Sequence, residues 1–174
     1  MADPAVTAST DTPGITPSFR YLLRVRYGEC DAQKIVYNAR YSDYVDLAST
    51  EFLRVVWGDA VFGGGYDYQL VRQIIEWRAS LRFDDVVQIA VSAARVGTTS
   101  FVLAMDLRPS GAPRAAAGAE TTYVLTREAE LVKCPIPDDL RARLEAGAQG
   151  VVVDHAGTGS GTLHAAARRN SSPH

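Results

Sequence analysis

A single long amphipathic helix, flanked by segments with strand periodicity, limits this chain to few architectures. Apolar side chains recur at helical spacing from Tyr41 to Val56, which predicts about four turns with a wide apolar face. No other segment shows helical periodicity of that length. The rest of the core must therefore come from strands that pack against this one helix.

Alternating apolar and polar side chains predict five strands and, after them, a short closing helix. The strands are predicted at 19–27, 69–83, 86–96, 101–107 and 119–125, and the short helix at 137–146. Turn-forming residues separate the last four strands, which favours antiparallel pairing. The sequence thus predicts an α+β fold in which a five-stranded antiparallel sheet wraps around one long central helix. The unprotected sheet edges predict self-association.

Length and composition indicate how many domains the chain forms and in which compartment it works. The chain has 174 residues, of which 47% are hydrophobic, and a net charge of −2, which fits one domain and argues against a nucleic-acid binder. No apolar run is long enough to span a membrane. We expect a disordered segment at 1–17, a folded domain at 18–146 and a flexible Gly/Ser/Ala-rich tail at 147–174. The start of the chain lacks the features of a secretory signal, and two Cys favour a reducing cytoplasm.

The positions of the histidines limit the catalytic mechanisms that we expect for this chain. All three, His155, His164 and His174, lie in the predicted tail. Serine hydrolysis with a His base, Cys–His nucleophiles and His-ligated zinc are therefore not expected. We predict no metal and no cofactor, so an enzyme of this kind would use carboxylates, hydroxyls and backbone amides.

Reactive side chains are densest between the first strand and the long helix, at 29–41. Glu29, Cys30 and Asp31 stand close together in a turn-prone stretch. The start of the helix that follows offers unpaired N–H groups that can stabilise an oxyanion. A carboxylate facing such a helix start could hydrolyse an ester or thioester without histidine.

The same stretch carries a family resemblance. Tyr27–Ala32 (YGECDA) and Ile35–Tyr41 (IVYNARY) resemble the signature of hotdog-fold thioesterases of the 4-hydroxybenzoyl-CoA thioesterase-like branch. Arg82–Val86 and Gly97–Phe101 are similar to later segments of that family. The resemblance spans about residues 19–146. It implies an acyl-CoA thioesterase that assembles as a homodimer or homotetramer.

The resemblance also implies roles for individual residues. Asp31 would be the catalytic carboxylate, acting as nucleophile or as general base for water. The backbone N–H of Asn38 would bind the thioester oxygen. The residues expected to line the acyl pocket are Val36, Tyr37 and Tyr41. Those expected near the pantetheine arm, which would cross a dimer interface, are Thr99 and Ser100.

Several alternatives stay open. Glu51, on the long helix, is a second candidate carboxylate, because some hotdog hydrolases use one there. Lys34 stands where many relatives have Gly, so a different loop backbone and a non-catalytic acyl-binding protein are possible. Thr98 and Thr99 replace basic residues that often bind CoA phosphates, which leaves an acyl-carrier-protein thioester as substrate. The arginines at 72, 78 and 82 could bind phosphates or simply form the exposed face of a strand.

Overall fold

The computed structural model describes residues 19–61 and 63–158. Their secondary structure consists of six strands, two α-helices and two short 3₁₀ helices, Tyr27–Glu29 and Gly58–Ala60. In chain order the strands and α-helices are β1 (Phe19–Arg24), α1 (Arg40–Trp57), β2 (Tyr66–Trp77), β3 (Val86–Val96), β4 (Ser100–Pro109), β5 (Ala117–Arg127), α2 (Asp138–Ala146) and β6 (Val152–Asp154). The predicted disordered segment 1–17 and the end of the predicted tail, 159–174, lie outside the described residues.

All six strands form one mixed sheet in the order β2-β5-β4-β3-β1-β6. Every pairing is antiparallel except that of β1 with β6, which is parallel. The predicted sheet of five strands thus gains a sixth. The new strand comes from a range that the sequence assigned to a flexible tail. The sequence does not predict this strand because its segment has only three apolar residues, with Gly and Ala residues on both sides.

The strand neighbours differ from a simple meander. The turn at Asp84 and Asp85 predicted a hairpin between the second and third strands, yet β2 pairs with β5 and β3 pairs with β1. The reason is that β2 ends at Trp77, six residues before the predicted end at 83. Residues 78–85 then cross the end of the sheet, and eight residues can span roughly 26 Å, well beyond three strand spacings of ~4.8 Å each.

Helix α1 contributes many of the buried side chains of the core. Its buried side chains cover a wide stripe and include Tyr41, Tyr44, Ala48, Phe52 and Trp57. Phe52 contacts Phe19 of β1 edge to face, with ring centroids 5.6 Å apart. The indole N–H of Trp57 donates to the Leu140 carbonyl at 2.9 Å, which ties α2 to the end of α1.

No helix within the described residues combines the length and apolar character needed to cross a membrane.

Candidate active site

A loop clamped onto the end of the sheet positions the predicted catalytic carboxylate. Val36 donates its N–H to the Leu81 carbonyl at 2.9 Å, and isolated bridges join Cys30 to Val36 and Ile35 to Arg82. The loop from 30 to 36 is therefore held by the segment that crosses the sheet end after β2. Asp31 is fixed by its neighbours in space rather than left on a free loop.

The side chain of Asp31 is oriented by a local turn. Its Oδ1 accepts the N–H of Gln33 at 2.8 Å, and its carbonyl accepts the N–H of Lys34 at 2.9 Å. An aspartate that bonds the backbone two residues ahead is typical of a tight turn. Lys34 has φ +63°, the left-handed conformation that glycine adopts most readily. The Lys in place of Gly thus does not exclude such a turn.

The start of α1 leaves one amide available. The Ala39 N–H donates to the side-chain oxygen of Asn38 at 2.9 Å, and the Arg40 N–H donates to the Tyr37 carbonyl at 2.8 Å. Among residues 19–61 and 63–158, the N–H of Asn38 itself has no acceptor. It is a donor without a protein partner at the positive end of the helix dipole.

A cavity of about 510 Å³ brings these groups together. Its lining includes all five residues predicted for catalysis and for the acyl pocket, namely Asp31, Val36, Tyr37, Asn38 and Tyr41. The remaining lining residues are Ile35, Trp77, Arg78, Ala79 and Ser80. The cavity thus joins the loop before α1 to the end of β2. Its walls combine aromatic and aliphatic side chains with a few polar ones, as in small-molecule sites.

Two aromatic side chains that line the cavity, Tyr41 and Trp77, contact each other and differ in exposure. Tyr41 is buried, and its hydroxyl oxygen accepts the Leu81 N–H at 3.3 Å. Burial raises the pKa of the Tyr41 hydroxyl above its usual value, so the group stays neutral. Trp77 contacts Tyr41 edge to face at 6.1 Å and remains 52% exposed.

Three predicted site residues lie elsewhere. Ser100 pairs with Val124 at the start of β4, roughly 24 Å along the strand from the cavity end of the sheet, and Thr99 is next to it. Glu51 lies about 16 Å along α1 from its first residue and pairs with Arg54 at 3.4 Å. Within one chain, none of these three lines the cavity that holds Asp31.

Glu29 has a structural environment. Its Oε2 accepts the Arg26 N–H at 2.7 Å and the Tyr44 hydroxyl at 2.8 Å. Burial and the bond to Glu29 raise the pKa of Tyr44 strongly, which keeps that hydroxyl protonated as the donor. Glu29 therefore fastens the end of the first strand region to α1.

His155 differs from its prediction as a solvated tail residue. It follows β6, and its Nδ1 lies 3.0 Å from the Tyr21 hydroxyl. It lines a second cavity, of about 460 Å³, between β1 and α1. His155 does not line the cavity of Asp31, and His164 and His174 lie outside the described residues. That no histidine acts at this cavity therefore stays a prediction.

The sequence reasoning missed Trp77, Arg78 and Ser80 as cavity residues. Trp77 falls inside the predicted strand 69–83, and Arg78 is one of the three arginines at 72, 78 and 82. Trp77, Arg78 and Ser80 alternate as the residues of any half-exposed strand do, so no local sequence pattern identified them as cavity residues. Only the early end of β2 and its position beside residues 30–36 bring them to the cavity.

Proteins of similar sequence and fold include named thioesterases. The chain is 30% identical over 131 residues to the acyl-CoA thioester hydrolase YbgC of Escherichia coli O6:H1, covering 74% of this chain and 90% of that protein. It is 26% identical to the gentisyl-coenzyme A thioesterase BH1999, with a TM-score of 0.64, covering 72% of this chain and 98% of the other. A hypothetical protein from Aquifex aeolicus has 25% identity, a TM-score of 0.66 and the same two coverages. These similarities confirm the predicted class of protein, a thioester hydrolase.

The family follows from the match to a family model. The model of the thioesterase-like superfamily matches residues 25–144, which include the cavity and all of α1. The chain belongs to the thioesterase-like superfamily. The predicted resemblance is therefore confirmed at the level of the family.

Proposed function

We propose that this chain hydrolyses acyl-CoA thioesters and that Asp31 is its catalytic carboxylate. The observation that carries the proposal is the shared cavity, in which Asp31 and the unbonded N–H of Asn38 lie among aromatic side chains. A carboxylate can act on the acyl carbon while the amide holds the developing oxyanion. The names of YbgC and BH1999 support the same reaction on CoA esters.

The chemistry balances along either of two routes. As general base, Asp31 takes a proton from water, the water oxygen bonds to the acyl carbon, and the carbon–sulfur bond breaks. The proton then passes to the departing thiolate, and free acid and thiol result. As nucleophile, Asp31 itself bonds to the acyl carbon and expels the thiolate, and water then hydrolyses the anhydride.

Substitution of Asp31 by Asn tests the proposal. We expect Asp31→Asn to lower thioester hydrolysis at least ~100-fold, because a catalytic carboxylate is lost. An asparagine retains the Oδ1 acceptor for the Gln33 N–H, so the turn and the fold should persist. The measurement is thiol release from short-chain, long-chain and aryl CoA esters, with circular dichroism as a check of folding.

Asp43→Asn is the matched control. Asp43 is an exposed carboxylate in the first turn of α1 that pairs with Arg40 and does not line the cavity. Its variant should hydrolyse thioesters at the rate of the parent protein. Parent-level activity in Asp31→Asn would refute the assigned role.

Labelled water distinguishes the two routes. In a single turnover with enzyme in excess in H₂¹⁸O, a general base leads to ¹⁸O in the released acid. Only a nucleophilic Asp31 can leave ¹⁸O in the Asp31 carboxylate, which happens when water opens the anhydride at the protein side. Water that opens the anhydride at the acyl side puts the label in the acid, so label in Asp31 is the diagnostic result. Mass spectrometry of the acid and of the peptide that contains Asp31 reads out both positions.

Each of two alternative functions is suggested by a specific observation. A non-catalytic acyl-binding protein would bind acyl-CoA without releasing thiol, but the intact turn around Lys34 favours catalysis. A thioesterase acting on acyl carrier protein is favoured by the absence of basic residues at Thr98 and Thr99. Parallel assays with CoA and carrier-protein esters of one acyl chain decide between the carriers.

We further propose that the enzyme works in the cytoplasm as a homodimer or homotetramer. Both cysteines of the chain, Cys30 and Cys134, are free thiols, which suits a reducing compartment. The long edge strand β2, which ends in the cavity residue Trp77, offers the surface for a second copy. In such an assembly Thr99 and Ser100 of the second copy can approach a pantetheine arm.

A further inference from the structure

The loop that carries Asp31 is closed by its own main-chain hydrogen bonds. The Asp31 N–H donates to the Ile35 carbonyl, and the Tyr37 N–H donates to the Glu29 carbonyl, both at 2.9 Å. These bonds join the two arms of the loop at two levels, so residues 29–37 are held together as one body. The position of Asp31 therefore depends on how the base of this loop is attached to the rest of the fold.

The side chain of Glu29 attaches the base of the loop to α1. A single oxygen, Oε2, accepts the Arg26 N–H at 2.7 Å and the Tyr44 hydroxyl at 2.8 Å. Arg26 precedes the loop in the chain, and Tyr44 lies in the second turn of α1. One carboxylate thus joins the chain that enters the loop to the helix that follows it.

The hydrogen bond between Glu29 and Tyr44 is largely shielded from water. Tyr44 is 2% exposed, and the side chain of Glu29 is 18% exposed. A hydrogen bond to a carboxylate in such surroundings is shorter and stronger than one between neutral groups. Burial raises the pKa of the Tyr44 hydroxyl, so this group keeps the proton that it donates.

Glu29 is also connected to both candidate catalytic groups. Asp31 follows it by two residues along one arm of the loop. Asn38 directly follows Tyr37, whose N–H donates to the Glu29 carbonyl. Because Tyr44 belongs to the helix that begins beside Asn38, the side chain of Glu29 ties the arm that carries the carboxylate to the element that carries the amide.

Glu29 and Tyr44 act on the cavity of Asp31 from outside it. Both residues line the second cavity, between β1 and α1, and neither lines the cavity of Asp31. An effect of this pair on hydrolysis must therefore pass through the groups that it holds in place.

We propose that Glu29 is a positioning residue whose hydrogen bond to Tyr44 keeps the Asp31 carboxylate in register with the Asn38 N–H. The inference rests on the proposed thioesterase function and adds a residue pair on which the rate depends. Catalytic groups must be held to within about 0.5 Å, and a misplacement of about 1 Å can lower a rate about 100-fold.

Tyr44→Phe tests the proposal by removing one hydroxyl group. Glu29 keeps its bond to the Arg26 N–H, so the substitution leaves no buried acceptor unpaired. We expect kcat for thioester hydrolysis to fall about tenfold with KM within about twofold, because the walls of the cavity are unchanged while its two catalytic groups lose their alignment. Thiol release from the CoA esters measures both constants.

Substitutions of Glu29 separate position from charge. Glu29→Gln keeps an oxygen that can accept both the Arg26 N–H and the Tyr44 hydroxyl, so kcat should stay within about threefold of the parent. Glu29→Leu removes the acceptor and should lose at least as much kcat as Tyr44→Phe. If Glu29→Gln loses as much as Tyr44→Phe, Glu29 acts through its charge and the proposal is overturned. That comparison holds even if Glu29→Leu does not fold.

Tyr68→Phe is the matched control. The Tyr68 hydroxyl also contacts α1, at Thr50, 3.5 Å away and six residues further along the helix than Tyr44. Its loss should leave kcat and KM at the parent values, because this contact does not hold the loop of Asp31.

A second background separates positioning from a general loosening of the fold. In Asp31→Asn, the further change Tyr44→Phe should lower the residual rate less than about twofold, because no carboxylate is left to align. A further tenfold loss in that background would contradict the proposal.

Hydrogen exchange gives a readout that does not depend on activity. The N–H groups of Asp31 and Lys34 are both bonded within residues 29–37. Tyr44→Phe should speed exchange in peptides that cover this loop and not in those from β4, whereas Tyr68→Phe should change neither. Unchanged exchange in the loop of Tyr44→Phe would overturn the proposal.

The outcomes distinguish this proposal from the proposed function. A loss of at least ~100-fold in Asp31→Asn together with parent-level kcat in Tyr44→Phe would refute the role of Glu29 alone. If the parent protein hydrolyses no thioester, the proposed function fails, and the exchange measurement by itself decides whether Glu29 and Tyr44 hold the loop.

Discussion

Lys34 shows how one backbone angle supports the candidate catalytic residue. Its φ of +63° closes the turn in which Asp31 accepts the N–H groups of Gln33 and Lys34. A residue with a Cβ is strained in this conformation by roughly 1 kcal/mol. The turn persists because the bridges from Cys30 and Ile35 fix both of its sides.

Replacing Lys34 by Gly should stabilise the protein. We expect the free energy of unfolding to rise by about 0.5–1 kcal/mol, because relief of strain exceeds the added flexibility of the unfolded chain. Urea denaturation measures the difference. Lys34→Ala is the control, since it removes the ammonium but keeps the Cβ and should not stabilise. Equal stability of the Gly and Ala variants would contradict the explanation.

Residues near in sequence were easier to place than those near only in space. Asp31, Val36, Tyr37, Asn38 and Tyr41 lie within eleven positions of one another, and one loop brings them to one cavity. Arg78 and Trp77 reach it from a distant strand, through pairings that no local periodicity records. Thr99 and Ser100 were expected at the site through a dimer interface, which stays a prediction.

Strand β6 is the element that changes the domain boundary. Val152–Asp154 pairs in parallel with Arg20, Tyr21 and Leu22 of β1. The His155 N–H donates to the Leu22 carbonyl at 2.8 Å, and the Arg20 N–H donates to the Val151 carbonyl at 2.9 Å. A parallel pairing between the two ends of a domain depends on long-range contacts, so composition alone suggested a tail.

The two valines of β6 should respond differently to a charge. Val153 packs against the core while Val152 is 43% exposed. We expect Val153→Asp to lower the free energy of unfolding by about 2 kcal/mol, because an unpaired carboxylate would be partly buried. Val152→Asp should change it by less than about 0.5 kcal/mol. Both are measured by urea denaturation, and equal effects would show that β6 does not pack as described.

At the scale of the whole molecule, the sheet has two unlike edges. Short β6 pairs with three of the six residues of β1 at one edge, whereas β2 forms the other edge with twelve residues. Leu70 and Val71 of β2 are half exposed, and an open strand of this length with apolar side chains invites pairing. The proposed self-association should therefore use β2.

Positive charges on the β2 edge should prevent the proposed self-association. We expect the double variant Leu70→Lys and Val71→Lys to elute as a monomer while the parent protein is a dimer or tetramer, because like charges then face each other across the edge. Light scattering coupled to size-exclusion chromatography gives the masses. Val152→Asp, at the opposite edge, is the control and should keep the mass of the parent. A monomeric parent protein would rule out this assembly.

The general architecture was predictable, and the order of strands was not. One long apolar helix and a predominance of strands require a sheet packed on that helix. The order depends on residues 78–85, which read as the end of a strand but cross the sheet with Leu81 buried beneath Tyr41. Turn chemistry at Asp84 and Asp85 specifies a turn without specifying which strands it joins.

The hydrogen bond from the Gln33 N–H to the Asp31 carboxylate determines which substitutions position 33 tolerates. The donor is the main-chain N–H of Gln33, so nearly any side chain at position 33 leaves the orientation of the Asp31 carboxylate unchanged. Proline is the exception, because its ring nitrogen carries no hydrogen. Position 33 is thus free to change to almost any of the common amino acids while the Asp31 carboxylate keeps its orientation.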